Sequence, residues 1–200
     1  MSYLIKTADL ISDEKFRDRL KRVLDKAIPD LKILPASLSH HRKSGGAHEF
    51  ACKVVKASLD LYGLLKSNLP SGESIGFTQD DVLFVSLISC LDIPSRYRRG
   101  EVIGTEMPSG EPLYSFESLN DWGVEPAFYI SDRLAQEGIY VSPEVFHALS
   151  FREGSFAKNQ SKMSPHDMSA MACLLHSAFL LSMSFRQSDP NSPPKGTSIL

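Results

Sequence analysis

The chain has no CxxC pair, and its three cysteines, Cys52, Cys90 and Cys173, stand far apart. An odd, widely spaced set argues against a disulfide framework or a zinc cluster. The thiols read instead as small buried hydrophobes in a reducing compartment. Charge of one sign is lacking too: 22 Lys and Arg against 24 Asp and Glu leave a net charge of −2. Nothing global therefore draws the protein to nucleic acid or an anionic membrane, and such a partner would need a local patch. No apolar run reaches the roughly 20 residues of a membrane span, because charges such as Asp92 and Glu101 interrupt each one. Met1 to Lys6 carry no signal-peptide core, which predicts a cytoplasmic protein. Internal repeats, a Gly-rich phosphate loop and a Ser-His-Asp order are absent, and the sole tryptophan, Trp122, reads as core packing more readily than as a stacking platform.

What is present is an ordinary soluble composition, 42% hydrophobic and 23% charged over 200 residues. That length suits one domain with a sizeable core. Helical spacing of Phe16, Leu20, Val23, Leu24, Ala27 and Ile28 predicts a helix over 12–28, with Ser12 as N-cap. Its other face carries Lys15, Arg17, Arg19, Lys21 and Arg22, read as a solvated face partly paired with Asp13, Glu14, Asp18 and Asp25. A loop follows from Pro29 to Gly46, then a helix from about Ala47 to Lys66. Thr78 and Asp81 form a capping box that opens a helix through Leu91, apolar nearly all round and so fully buried. Pro94 ends it. Residues 95–120 are irregular, with hairpin arms at 102–106 and 111–116 turning at Pro108-Ser109-Gly110. Further helices are predicted over 124–137, from Ser142-Pro143, and from Ser164-Pro165-His166-Asp167 to about Phe185. The expected fold is all-α, six or seven helices around Val82–Leu91 with a small irregular or hairpin insertion. An N-terminal helix (1–30) would pack on a core domain (31–185), and the proline-containing tail (186–200) should be disordered.

Two basic stretches are candidate binding elements. His40-His41-Arg42-Lys43 is a polar loop that either contacts a phosphate or is merely solvated. Arg96, Tyr97, Arg98 and Arg99 form the densest basic stretch, able to grip phosphates and stack bases, with a solvated loop as the equal alternative. His147, on an apolar helix face, and His166, in a capped first turn, read as structural.

Four segments, in order, resemble the HD-domain superfamily of metal-dependent phosphohydrolases. Leu34-Pro35 through His40-His41, then Gly45-Gly46 and a helix, is similar to the family's His loop and Gly-Gly pair. Val85 to Ile93 resembles the apolar helix that ends in Leu-His-Asp. Pro112 to Phe116, with Trp122-Gly123 and Tyr129-Ile130, resembles a His-Gly segment leading a helix. Val141 to Leu149 with Gly154, followed by Ala172 to Phe179, resembles the closing segments. The resemblance covers most of residues 34–182 and implies a compact helical bundle whose His and Asp side chains hold a divalent ion such as Mn or Mg, which activates water and polarises a phosphoryl oxygen.

The ligand positions depart from that pattern. The resemblance puts Phe50, Leu91, Trp122 and Phe179 where the family has metal ligands, and Arg152 beside a fifth position. His40 and Asp92 are the remnant ligands, fewer than the three usual in catalytic sites. Apolar groups would fill the former metal pocket, and Arg152 would pair with Asp92 in place of the ion. This implies a catalytically inactive HD-type protein that needs no cofactor and binds a protein partner or a nucleotide or nucleic acid, with Arg152 among the ligand-binding residues. Family members in phages and other mobile elements place a phage-host process among its roles. The alternative is a metal-dependent phosphohydrolase or nuclease with a rearranged site drawn from His40, His41, His48, Asp92 and His176. A pure assembly module, marked by an exposed apolar patch, is the third reading.

Overall fold

The computed structural model describes residues 1–37, 41, 43–106, 111–119, 125–153 and 168–184. Its order is α1 (Tyr3–Ala8), α2 (Glu14–Leu31), α3 (Gly46–Asn68), α4 (Gln79–Ile88), α5 (Ile93–Arg96), β1 (Tyr97–Glu106), β2 (Glu111–Ser118), α6 (Pro126–Ala135), α7 (Pro143–Phe151) and α8 (Ala170–Ser184). The chain is mostly helical but not purely so. The hairpin is longer than the sequence suggests, with β1 and β2 antiparallel from Tyr97 opposite Ser118 to Glu106 opposite Glu111. Its register slips between Arg99 and Val102 and again before Gly104. Such bulges hide the strict alternation by which strands are recognised.

Helix α4 is the centre. Every residue from Val82 to Ile88 is buried, and the helix touches α1, α3, α7 and α8. Its start is fixed by the capping box: Thr78 Oγ1 accepts from the Asp81 amide at 3.2 Å, and Asp81 accepts from the Thr78 amide at 2.7 Å. A full apolar circumference fits only such a position. Ser142 caps α7 in the expected way, with Pro143 in the first turn.

The N-terminal region is two helices where one is expected. Ser2 caps α1, which buries Leu4, Ile5 and Ala8 against the core; six residues are too few to show a period. The N-cap of α2 is Asp13, whose carboxylate accepts from the Phe16 amide, while the Ser12 amide turns away to Asp80. The helix also runs through Pro29 to Leu31. Burying Leu31 is worth about 1.5–3 kcal/mol, which offsets much of the roughly 3 kcal/mol that a proline inside a helix costs. The basic face of α2 is not free. Lys21 meets Asp9 at 2.8 Å, Arg22 and Lys26 meet Glu137 at 3.0 and 2.5 Å, and Arg19 donates to the Gly138 carbonyl.

The Gly45-Gly46 pair has a steric cause. Gly45 sits at φ +74°, and a Cβ on Gly46 would lie 1.9 Å from the His41 carbonyl oxygen. Only glycine lets the loop close that tightly on the first turn of α3. Among the described residues, no helix is long and apolar enough to cross a membrane. Cys52 is half-buried and Cys90 buried as expected, but Cys173 is exposed on the outer face of α8. His166, Trp122 and the tail after Ser184 lie outside the described residues.

Candidate functional site

Beyond Ile88 the chain turns through Ser89–Asp92 into α5, which places Asp92 at the base of the hairpin. Arg152 follows the end of α7 as its C-cap, and its carbonyl accepts from His176 Nδ1 at 3.0 Å. Phe50 comes from α3 and Phe179 from α8, their rings edge-to-face at 5.2 Å. These four side chains line one cavity of about 520 Å³, together with Cys90, Ile93, Arg96, Tyr97, Glu153 and Met183. Residues far apart in sequence thus meet at one point, and the aromatic rings narrow the cavity without closing it.

Among the described residues, four charges line the cavity. Asp92 is fully buried, and Arg152 is 2% exposed. Arg152 Nη2 donates to Asp92 Oδ2 at 2.6 Å, and Arg96 Nε lies 2.5 Å from the same oxygen. Arg96 Nη2 stands 2.6 Å from Glu153 Oε1, a charge contact poorly aligned for hydrogen bonding. Asp92 Oδ1 and the Nε and Nη1 of Arg152 have no hydrogen-bond partner among the described residues. Burial works against charge here, yet Asp92 and Glu153 hold the Arg96 guanidinium above its usual pKa. In the same way Arg152 and Arg96 outweigh burial and hold the Glu153 carboxyl below the ordinary carboxylate range. Both groups stay charged at neutral pH. Burial pushes the Cys90 thiol up to about 12, which Arg152 is too weak to offset. Cys90 is therefore no thiolate nucleophile, and Ser89 spends its hydroxyl on the Ser86 carbonyl.

Of the positions the resemblance singles out, Asp92, Phe50, Arg152 and Phe179 converge. Leu91 does not: it is 0% exposed, packed in the core, and absent from the cavity wall. His40, Arg42 and Trp122 lie outside the described residues. Arg96 and Tyr97 line the cavity, but Arg98 and Arg99 belong to the hairpin. There Arg98 pairs with Glu117 at 3.0 Å, and Arg99 stacks over the Tyr114 ring at 4.4 Å. Strand alternation separates Arg98 from Arg99, and Arg96 belongs to α5, so the basic stretch is not one patch. His41 and Lys43 face Glu49 on α3 rather than the cavity. Glu153 is the participant the sequence reading misses. Its position next to Arg152 was the available signal, together with the i, i+4 spacing of Asp92 and Arg96 on one helical face.

The donor set does not fit a divalent ion. Two guanidinium groups occupy Asp92 Oδ2, and Phe50 and Phe179 offer no lone pair. His48 is bound to Ser2 at 2.8 Å, His41 lies within 3.0 Å of Lys53, and His176 engages the Arg152 backbone. Among the described residues no group of three His, Cys, Asp or Glu is placed to hold a metal. The rearranged set therefore stays dispersed for its described members.

The Glu49 cluster yields a pH prediction. Lys43 and Lys53 lie 2.9 and 2.8 Å from its carboxylate, with His41 at 3.8 Å. Burial would raise its pKa, but hydrogen bonds from Lys53 and Lys43 outweigh this and hold it at about 2, against an ordinary 4.5. A depressed carboxyl contributes stability that is complete above its unfolded value and is lost as pH falls toward the folded one. After solvent screening this amounts to roughly 1–2 kcal/mol. Glu49→Gln should lower the urea midpoint at pH 7, and the gap to wild type should close as pH falls from 4.5 toward 2. A gap constant over that range would rule the account out.

Compared with known proteins, the chain matches no family model, and no curated protein or solved structure gives a match.

Proposed function

We propose that the protein acts by binding and not by hydrolysis, with an HD-type helical arrangement whose metal position is taken by arginine. The carrying observation is Asp92 held by Arg152 and Arg96 at 2.6 and 2.5 Å, where the resemblance puts a divalent ion. The meeting of Phe50, Asp92, Arg152 and Phe179 around one cavity supports the same reading. The two guanidinium groups on Asp92 Oδ2 place positive charge where a divalent ion would have to approach, and neither Cys90 nor Ser89 is poised as a nucleophile. What the cavity retains is volume, apolar walls and buried polar atoms without partners, which is the equipment of a binding site.

A protein partner is the second reading. It is favoured by Val102 and Ile103, which stand 58% and 63% exposed on β1.

The test is elemental analysis of protein purified without chelator, followed by manganese titration with thermal unfolding as readout. No stoichiometric metal and an unchanged Tm are expected. A stoichiometric ion, or a Tm that climbs with manganese by mass action, would overturn the proposal.

A further inference from the structure

The hairpin leaves the helical body with little support. Its main helical neighbour is α5, at the base, and Glu101 to Thr105 in the middle of β1 are all exposed. A two-stranded ribbon standing alone is marginal in water. Among the described residues the sheet ends at β1, so the outer edge of this strand offers backbone N–H and C=O groups to another strand. Natural edges are commonly guarded by lysine or proline, and β1 has neither. Its middle is apolar instead, with Val102 and Ile103 both more than half exposed.

The order of residues along β1 says what this edge fits. Arg98 and Arg99 stand in its first half, and Glu106 closes its second. A parallel, in-register copy would set like charges opposite each other, which is destabilising, whereas an antiparallel copy sets basic against acidic. The two register slips lie on either side of Val102, one between Arg99 and Val102 and one between Val102 and Gly104. An antiparallel copy centred on Val102 therefore meets slip with slip. The slips also fix the faces. Pairing with Phe116, Tyr114 and Pro112 puts the positions of Arg99, Val102 and Thr105 on one face. Pairing with Glu117, Leu113 and Glu111 puts the positions of Arg98, Gly104 and Glu106 on the other. In the copy, Val102 then meets Val102 and Arg99 meets Thr105 on the first face, and Arg98 falls opposite Glu106 on the second.

Naming the occupant of the protein-partner reading, on which it rests, we propose that β1 pairs edge to edge with β1 of a second copy of this chain. The strands run antiparallel about a two-fold axis at Val102 and join two hairpins into one four-stranded sheet.

A single strand pair is a small contact, below the roughly 1,200 Å² of a stable interface, so the dimer should be weak. Sedimentation velocity on the full chain, from about 10 µM to about 1 mM, spans the affinities expected of it. The wild type should pass from monomer to dimer over that range and go no further, because a two-fold contact closes on itself. Val102→Lys, at an exposed position, sets two like charges at the axis and should weaken the dimer about tenfold. Glu106→Arg repeats a like-charge clash with Arg98 on both sides of the axis and should weaken it about fivefold. Adding Arg98→Glu should restore most of that loss, and this swap carries the test if Val102→Lys disturbs the hairpin. A chain that stays monomeric throughout would overturn the self-pairing and leave the edge to a strand of another protein. A dimer indifferent to Val102→Lys would overturn it in favour of another surface, and a swap that restores nothing would overturn the antiparallel register. Each of these results leaves the non-hydrolytic reading of the cavity standing, which only bound metal overturns.

Discussion

Replacing Arg152 by methionine should cost the fold about 3–5 kcal/mol. The reason lies in what remains. Asp92 is fully buried and would keep only Arg96, while Glu153 would keep Arg96 at 2.6 Å and lose the Arg152 contact at 3.4 Å. Removing one member of a buried pair leaves a charge desolvated and under-compensated, and that penalty exceeds the worth of the contact itself. Methionine keeps most of the packing against Phe179, whose ring lies 5.7 Å from the guanidinium carbon, so the loss is electrostatic. Against a typical total of about 5–15 kcal/mol, it brings the protein close to unfolding. Urea denaturation measures it directly as a lower midpoint at unchanged m-value. A variant within about 1 kcal/mol of wild type, the scale of an exposed ion pair, would mean that water screens the cluster and that Arg152 is no substitute for an ion.

The double variant Asp92→Leu/Arg152→Met separates stability from function. It removes one charge of each sign and leaves Arg96 paired with Glu153 at 2.6 Å. Replacing a buried pair with apolar groups of similar volume is often neutral or stabilising, so most of the stability lost in Arg152→Met should return. Full recovery implies that the pair is retained for something other than stability, as a site maintained for a ligand would be.

The fold was legible where burial or capping is local. The apolar circumference of α4, its Thr78–Asp81 box and the Ser142-Pro143 start each depend on residues within a turn or two. Features set by distant contacts were not. The extension of α2 through Pro29 depends on the core that receives Leu31, and the basic face of α2 is answered by Glu137, more than a hundred residues away. No spacing rule sees such a partner. The site was half legible for the same reason. The resemblance singled out Asp92, Arg152, Phe50 and Phe179, which line one cavity although no spacing rule links them. It could not supply Glu153, which departs from no recognised motif. Arg98 and Arg99 read as part of a patch only while the hairpin is unknown, because adjacent residues on a strand point to opposite faces.

Introducing the His-Asp pair of the HD family by Leu91→His should damage the protein without giving it a metal. Leu91 is 0% exposed and stands off the cavity wall, whereas its neighbours Cys90 and Asp92 line it. An imidazole at this position replaces a fully buried isobutyl group and must find hydrogen-bond partners among apolar neighbours. The lost burial and the unmatched ring nitrogens together cost about 2–4 kcal/mol. For a chain of this length that lowers Tm by roughly 4–16 °C. Manganese should not reverse the loss, because the new nitrogen would point into the core while Asp92 Oδ2 stays occupied by Arg152 and Arg96. Thermal unfolding with and without manganese is the measurement. A metal-dependent rise in Tm would show that the loop after α4 can turn the introduced imidazole toward Asp92, and that a single substitution separates this cavity from a metal centre. The absence of such a rise, alongside a folded but weakened variant, would show that the backbone after α4, as well as the ligand side chains, separates this cavity from a metal site.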